Sequence, residues 1–196
     1  LPSDVVLDSD GILYVLEHRN LDIDYGEDAG VHKIDVDGSY LEFIPIPNNS
    51  INDNSKFTLM TIDNEGYLYI VDQLGENIIL LDSTNGNGRA LGLIYFNTPT
   101  SIAINPDGYF FIGDDRSLSE RKSIHIFDGY HLPIRTIGEY GTEDGKISGT
   151  HGLEFDKDGN MYLLDFEQNR IQVFHIDPKV FRPLFYEEAE EPVPTA

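Results

Sequence analysis

Four stretches of this chain repeat one alternation of apolar and polar residues: DVVLDSDGILYVLE (4–17), LMTIDNEGYLYIVD (59–72), SIAINPDGYFFIGD (101–114) and GLEFDKDGNMYLLD (152–165). They align on Gly11, Gly66, Gly108 and Gly159, spaced by 55, 42 and 51 residues. Six and four residues before each glycine stand apolar side chains: Val5/Leu7, Met60/Ile62, Ile102/Ile104 and Leu153/Phe155. An apolar period of two is that of a strand with one face buried. An acid precedes each glycine (Asp10, Glu65, Asp107, Asp158) and an aromatic follows three residues after it (Tyr14, Tyr69, Phe111, Tyr162). A second acid stands six residues after it (Glu17, Asp72, Asp114, Asp165). Glycine after an acid permits positive φ, so each stretch reads as strand, tight turn, strand.

A third strand is expected in each unit at Val31–Asp35, Ile78–Asp82, Ile124–Asp128 and Ile171–His175. Weaker fourth strands are expected at about Tyr40–Ile44, Ala90–Tyr95, Leu132–Ile137 and Phe181–Tyr186. No stretch has long helical periodicity. Four units of four strands predict an all-β fold, a β-propeller of four-stranded antiparallel blades with four blades in this chain. The propeller domain is expected to span 1–186, with blades at about 1–47, 57–96, 99–138 and 150–186. Residues 187–196 form an acidic, proline-containing tail that is expected to be disordered.

The 196 residues are 40% hydrophobic, enough for one sizeable core. Net charge is −22 with only 13 basic residues, a surface that repels nucleic acid and anionic lipid and favours cations or basic partners. Nucleic acid is therefore not an expected partner. The absence of cysteine excludes disulfides and thiolate metal sites. No apolar run approaches the roughly 18 residues of a membrane span, so no transmembrane segment is expected. No signal peptide is visible, and the chain opens on Leu1 rather than methionine, which suggests a processed chain, a fragment or an extracted domain.

The run Asp165-Phe166-Glu167-Gln168-Asn169-Arg170-Ile171-Gln172-Val173-Phe174 resembles the core of an NHL repeat, as does the Gly-rich approach to it (137–165). The likeness is strongest in the fourth unit, fair in the second and third, and loose in the first. The family's Asn-Arg pair stands only as Asn169-Arg170, and Glu76-Asn77 and Lys122-Ser123 take its place in the second and third units. NHL propellers close with about six blades. Four blades here leave three arrangements open: two blades are missing, four close alone, or several chains share a ring.

Asp156-Lys157-Asp158-Gly159 looks at first like the start of a calcium loop. An EF-hand loop needs alternating oxygen ligands, its glycine in sixth place and a final bidentate glutamate, and this stretch has neither spacing. The turn reading is preferred. The acids six residues after each glycine recur in every unit and are expected to build the repeat, by binding loop amides or Arg170.

Function is expected where the units differ. Six residues separate that acid from the third strand in units two and four, but 14 in unit one and 10 in unit three. Both insertions should lie on the propeller face that holds the first-strand heads. The first insertion carries Asp22, Asp24, Glu27 and Asp28 around Gly26, a candidate calcium site, and calcium is the one cofactor considered. The second carries the only basic cluster, Arg116, Arg121 and Lys122. With His151, Thr100 and Thr58 at first-strand heads, these three form the candidate ligand face. Amidating lyases, which resemble this fold, hold zinc with histidines at such heads on several blades; here only His151 matches, against Ser3, Thr58 and Thr100.

The reading is a non-catalytic NHL-like propeller serving as a protein-interaction or extracellular assembly module. Its partner is another protein or another copy, met through blade edges or the loop face, outside the cell or at its surface. The alternative is a metal-dependent propeller enzyme, amidating-lyase-like or lactonase-like.

Overall fold

The structure, a computed structural model, describes residues 1–17, 29–50, 55–75, 77–92, 98–115 and 122–176. Blade 1 is β1 (Pro2–Leu7), β2 (Leu13–Glu17), β3 (Gly30–Ile34) and β4 (Tyr40–Pro45). Blade 2 is β5 (Phe57–Ile62), β6 (Tyr67–Asp72), β7 (Asn77–Asp82) and β8 (Gly88–Ala90). Blade 3 is β9 (Pro99–Ile104), β10 (Phe110–Asp115), β11 (Lys122–Phe127) and β12 (Pro133–Ile137). Blade 4 has three strands among the described residues, β13 (Gly152–Phe155), β14 (Asn160–Asp165) and β15 (Arg170–His175). Each blade is an antiparallel meander, and the sheets stand around a common axis as a β-propeller, with β1, β5, β9 and β13 packed in succession along it.

In blade 2 the fourth strand among the described residues is Gly88–Ala90, which begins two residues before the expected Ala90–Tyr95; residues 93–97 lie outside the described residues. The turn decides this: Asp82 N–H donates to the Asn87 carbonyl, so Gly88 is the first residue free to pair with Leu81. Residues 181–186, expected to complete blade 4, lie outside the described residues, as does the tail at 187–196.

The turns between first and second strands are built by the residue three before the glycine, not by the acid next to the glycine that the sequence reading weighed. Asp8, Asp63 and Asp156 each accept, on one carboxylate oxygen, the N–H groups two and four residues on. The glycine three residues on donates its N–H to the same residue's carbonyl, with φ between 81° and 87° in all four turns, where a side chain would be strained. Tyr14, Tyr69 and Tyr162 then donate their hydroxyls to the second oxygen at 3.2, 3.0 and 3.2 Å. The Asp156 carboxylate is thus engaged by the donors of its own turn, including Asn160 Nδ2 at 2.8 Å.

Strand alternation gives each blade two apolar faces, and three shared cores fill the space between consecutive blades. Tyr14, Leu16 and Val31 of blade 1 pack on Met60, Leu68 and Ile79 of blade 2. Tyr69, Val71 and Ile78 pack on Ile102, Phe110 and Ile112 of blade 3. Phe111, Ile124 and Ile126 pack on Leu153, Met161 and Leu163 of blade 4. The positions six and four before the turn glycine therefore face the preceding blade. The position three after it, with the start of the third strand, faces the following one.

Candidate functional site

The acids that end the second strands tie down the segments leading into the first strands. Asp72 accepts Ser55 Oγ at 2.6 Å, Lys56 N at 2.7 Å and Gly75 N at 3.0 Å. Asp114 accepts Thr98 N at 2.8 Å and faces His125 Nε2 at 3.4 Å. Asp165 accepts Ser148 N and Oγ at 3.2 and 2.8 Å, Arg170 Nε at 3.0 Å and Gln172 Nε2 at 3.1 Å. All three carboxylates are buried. In blade 1 Glu17 takes the position but is half-exposed, and it pairs with the terminal amine of Leu1 and with His32. Those two partners hold its carboxyl below the usual glutamate range, the His32 hydrogen bond most strongly.

Of the head residues expected on a ligand face, the structure brings Thr100 against Thr150, with Oγ1 atoms 2.6 Å apart and a 2.7 Å bond from Thr100 to the Thr150 carbonyl. Thr58 Oγ1 is buried without a hydrogen-bond partner. His151 is exposed, its ring 4.9 Å from that of Phe166. These contacts stay within one blade or link neighbouring segments. Arg116 and Arg121 lie outside the described residues, as do the side chain of Lys122 and the acidic loop with Asp22, Asp24, Glu27 and Asp28. Among the described residues no group of three or more His, Asp or Glu side chains could hold a metal ion.

The innermost strands of the first and last blades carry a pair of acids. Asp4 on β1 accepts the Met60 N–H at 2.7 Å, and surrounding protein raises its pKa. Glu154 on β13 is raised first by desolvation and then by the charge of Asp4. A carboxyl whose pKa rises on folding stabilises the fold fully below its unfolded value, about 4.5 for glutamate. That contribution is lost as pH climbs through the folded value. Glu154→Gln is therefore expected to raise the urea midpoint at pH 7–8 and to leave it unchanged near pH 4. Equal effects at both pH values would reject the linkage.

Among the described residues, both ends of the blade series expose apolar side chains that the inner blades bury. Val5 is 54% exposed, whereas the equivalent Met60 and Ile102 are 3% and 6% exposed, and Leu7 is 59% exposed where the equivalent Ile62 and Ile104 are partly buried. At the other end Tyr162 is 39% exposed, Leu164 40%, Ile171 67% and Val173 58%. Tyr69 and Phe111, which match Tyr162, are 5% and 0% exposed, and Ile78 and Ile124, which match Ile171, are 1% and 0%. Among the described residues no core joins blade 4 to blade 1.

The face that carries the turns between first and second strands holds a cavity of about 450 Å³ between blades 2 and 3. Three rings contribute to its lining: Tyr69, Phe110 and His131, with centroids 4.4 Å (Tyr69–Phe110), 5.6 Å (Tyr69–His131) and 5.1 Å (Phe110–His131) apart. Asp63, Glu65 and Asp107 line it as well. A second hollow of about 270 Å³ adjoins it, reaching Phe155 and Lys157 of blade 4. Sequence reasoning passed over this place because it weighed insertions and strand heads. The signal was present: Phe110 stands where the other units have Leu13, Leu68 and Met161. His131 stands where the matching turn of blade 1 has Gly38.

No protein-family model matches the chain, and no curated protein does. Solved structures share its fold. The extracellular domain of a candidate one-component system from B. thetaiotaomicron superposes with a TM-score of 0.58 at 14% identity, over 88% of this chain and 21% of that one. A gluconolactonase from Xanthomonas campestris gives 0.60 at 14% identity, over 84% of this chain and 54% of that one. A chain of a nidogen/laminin complex gives 0.59 at 14% identity, over 88% and 64%. At such identity the likeness is one of fold, a β-propeller. The chain spans from about a fifth to under two thirds of the length of these structures.

Proposed function

We propose that this chain is a non-catalytic, NHL-like propeller unit that serves protein interaction or extracellular assembly. The observation that carries the reading is the apolar exposure at both ends of the blade series among the described residues. Tyr162, Leu164 and Ile171 occupy repeat positions that a following blade buries in blades 1 to 3, and Val5 occupies a position that a preceding blade buries. Each large aliphatic side chain buried there contributes about 1.5–3 kcal/mol, and left in water such a patch favours association. A second copy brings the matching surface: blade 4 of one chain is complementary, by the logic of the repeat, to blade 1 of the next.

Three further points support the reading. The structures of the same fold include an extracellular domain and a component of a protein complex. The Asp165–Arg170–Gln172 network gives the NHL-like Asn169-Arg170 segment a structural role, since Asn169 caps its turn at φ 50° and Arg170 reaches the carbonyls of Glu143 and Lys146. The strongly acidic surface suits a secreted or surface-bound protein. Among the described residues no helix is long and apolar enough to cross a membrane.

Light scattering tests the reading. The chain is expected to form a defined oligomer at micromolar concentration, and Ile171→Lys with Val173→Glu is expected to return it to a monomer near 22.1 kDa. A wild-type chain that stays monomeric at every concentration, with unchanged circular dichroism, would reject assembly through these faces.

A further inference from the structure

We propose that the cavity on the turn face between blades 2 and 3 binds a small organic cation, an alkylammonium group carrying an apolar body. Where blades 1 and 2 meet, the matching positions hold Tyr14 and Leu68, and where blades 3 and 4 meet they hold Phe111 and Met161. Each of those pairs has one ring, and at the junction of blades 3 and 4 Phe155 adds a second, 4.6 Å from Phe111. Among the described residues, only the crevice between blades 2 and 3 brings three rings together, Tyr69 and Phe110 with His131 from the turn that follows β11.

His131 is held there at φ 65°, the left-handed region that Gly38 fills at 86° in blade 1. Its N–H still closes the turn on the Asp128 carbonyl. Its Nε2 is buried without a hydrogen-bond partner. Burial, with the positive charge of Arg89 nearby, lowers its pKa against the opposing pull of Asp128 and Asp63. The imidazole is therefore neutral at pH 7 and offers the cavity a ring, not a competing positive charge.

The charge of the site is negative. Asp63 bonds the Tyr69 hydroxyl, and burial together with the charges of Asp63 and Glu65 holds that phenol far above its usual range. Neither Glu65 nor Asp107 has an ion-pair partner among the described residues. Leu80 and Ile104 supply apolar wall. Aromatic faces attract cations through their negative quadrupole, and ring, aliphatic wall and carboxylate together select an alkylammonium over a bare metal ion or an anion. A cavity of about 450 Å³ has room for such a group and a short chain attached to it.

Nuclear magnetic resonance titration of the full chain tests this with three probes. Choline represents a free quaternary amine, and N-acetyl-lysine methylamide represents a side chain on a peptide. The third probe, 3,3-dimethylbutan-1-ol, has the shape of choline without its charge. Choline or the lysine derivative is expected to shift the signals of Tyr69, Phe110 and His131, and to bind at least tenfold more tightly than the alcohol. The tighter of the two cations identifies the source. Glu65→Gln with Asp107→Asn is expected to cut cation affinity at least fivefold while leaving the chain strongly acidic. Phe110→Leu, the residue blade 2 uses at that position, is expected to weaken both cation and alcohol. Equal binding of choline and alcohol overturns the proposal. So do shifts spread over the acidic surface, or cation binding indifferent to the Glu65/Asp107 double variant.

Discussion

Replacing Asp165 by alanine is expected to lower the unfolding free energy by about 3–5 kcal/mol, the usual cost of removing one partner from a buried charge pair. The carboxylate is fully buried and takes four donors, from Ser148, Arg170 and Gln172. Its loss strands the Ser148 N–H and the Arg170 Nε in the interior. Arg170 keeps Asp144 and the carbonyls of Glu143 and Lys146, which places the loss toward the lower end of the range. Asp165→Asn keeps one acceptor and turns an amide N–H toward donors, so about 1.5–3 kcal/mol is expected. Blade 4 should loosen first, because the network joins the Gly-rich approach at 139–149 to β14 and β15. Urea unfolding gives the free energy, and amide exchange in β13 to β15 locates it. A loss below about 1 kcal/mol would mean that the network is dispensable. The matching change at half-exposed Glu17 should cost far less, since its partners are solvated.

Phe111→Ala is expected to cost about 3–5 kcal/mol, the range for deleting a buried phenylalanine. The ring is fully buried and packs on Phe155 at 4.6 Å between centroids, in the core shared by blades 3 and 4. The cavity left would be walled by strands on both sides, which cannot close on it without breaking their own pairing. Tyr162 has the same place in the repeat, yet Tyr162→Ala should cost under about 1 kcal/mol in the monomer, because among the described residues no following blade packs on that ring. The contrast also reads out assembly. If chains associate through blade 4, the cost of Tyr162→Ala should grow with protein concentration. Equal costs at both positions in dilute monomer would contradict the exposure of that ring.

Much of the fold could be read along the chain because its signals are local. A turn at Asp63-Asn64-Glu65-Gly66 needs only a side chain that accepts nearby amides and a glycine that tolerates positive φ. Alternation at Leu153 and Phe155 needs only a strand with one face against protein. The start of the fourth strand of blade 2 was misplaced because strand onset there depends on how the Asp82–Asn87 turn closes, and several closures suit the same residues. The candidate site was less legible. Thr58, Thr100 and His151 share a repeat position, but a shared position does not bring side chains together across an axis. Phe110 and His131 come from different hairpins, 21 residues apart, and meet Tyr69 from another blade.

By itself the sequence determined the strands, their glycine turns, the recurring acids that bind the backbone, and hence the propeller. These follow from φ, ψ and hydrogen-bonding preferences that act over a few residues. The tertiary structure alone decided which apolar faces are covered. Tyr69 and Tyr162 are the same residue in the same local pattern, yet one is core and the other meets water. Burial is a property of the neighbour, and the neighbour of a blade is set by packing across residues far apart in the chain.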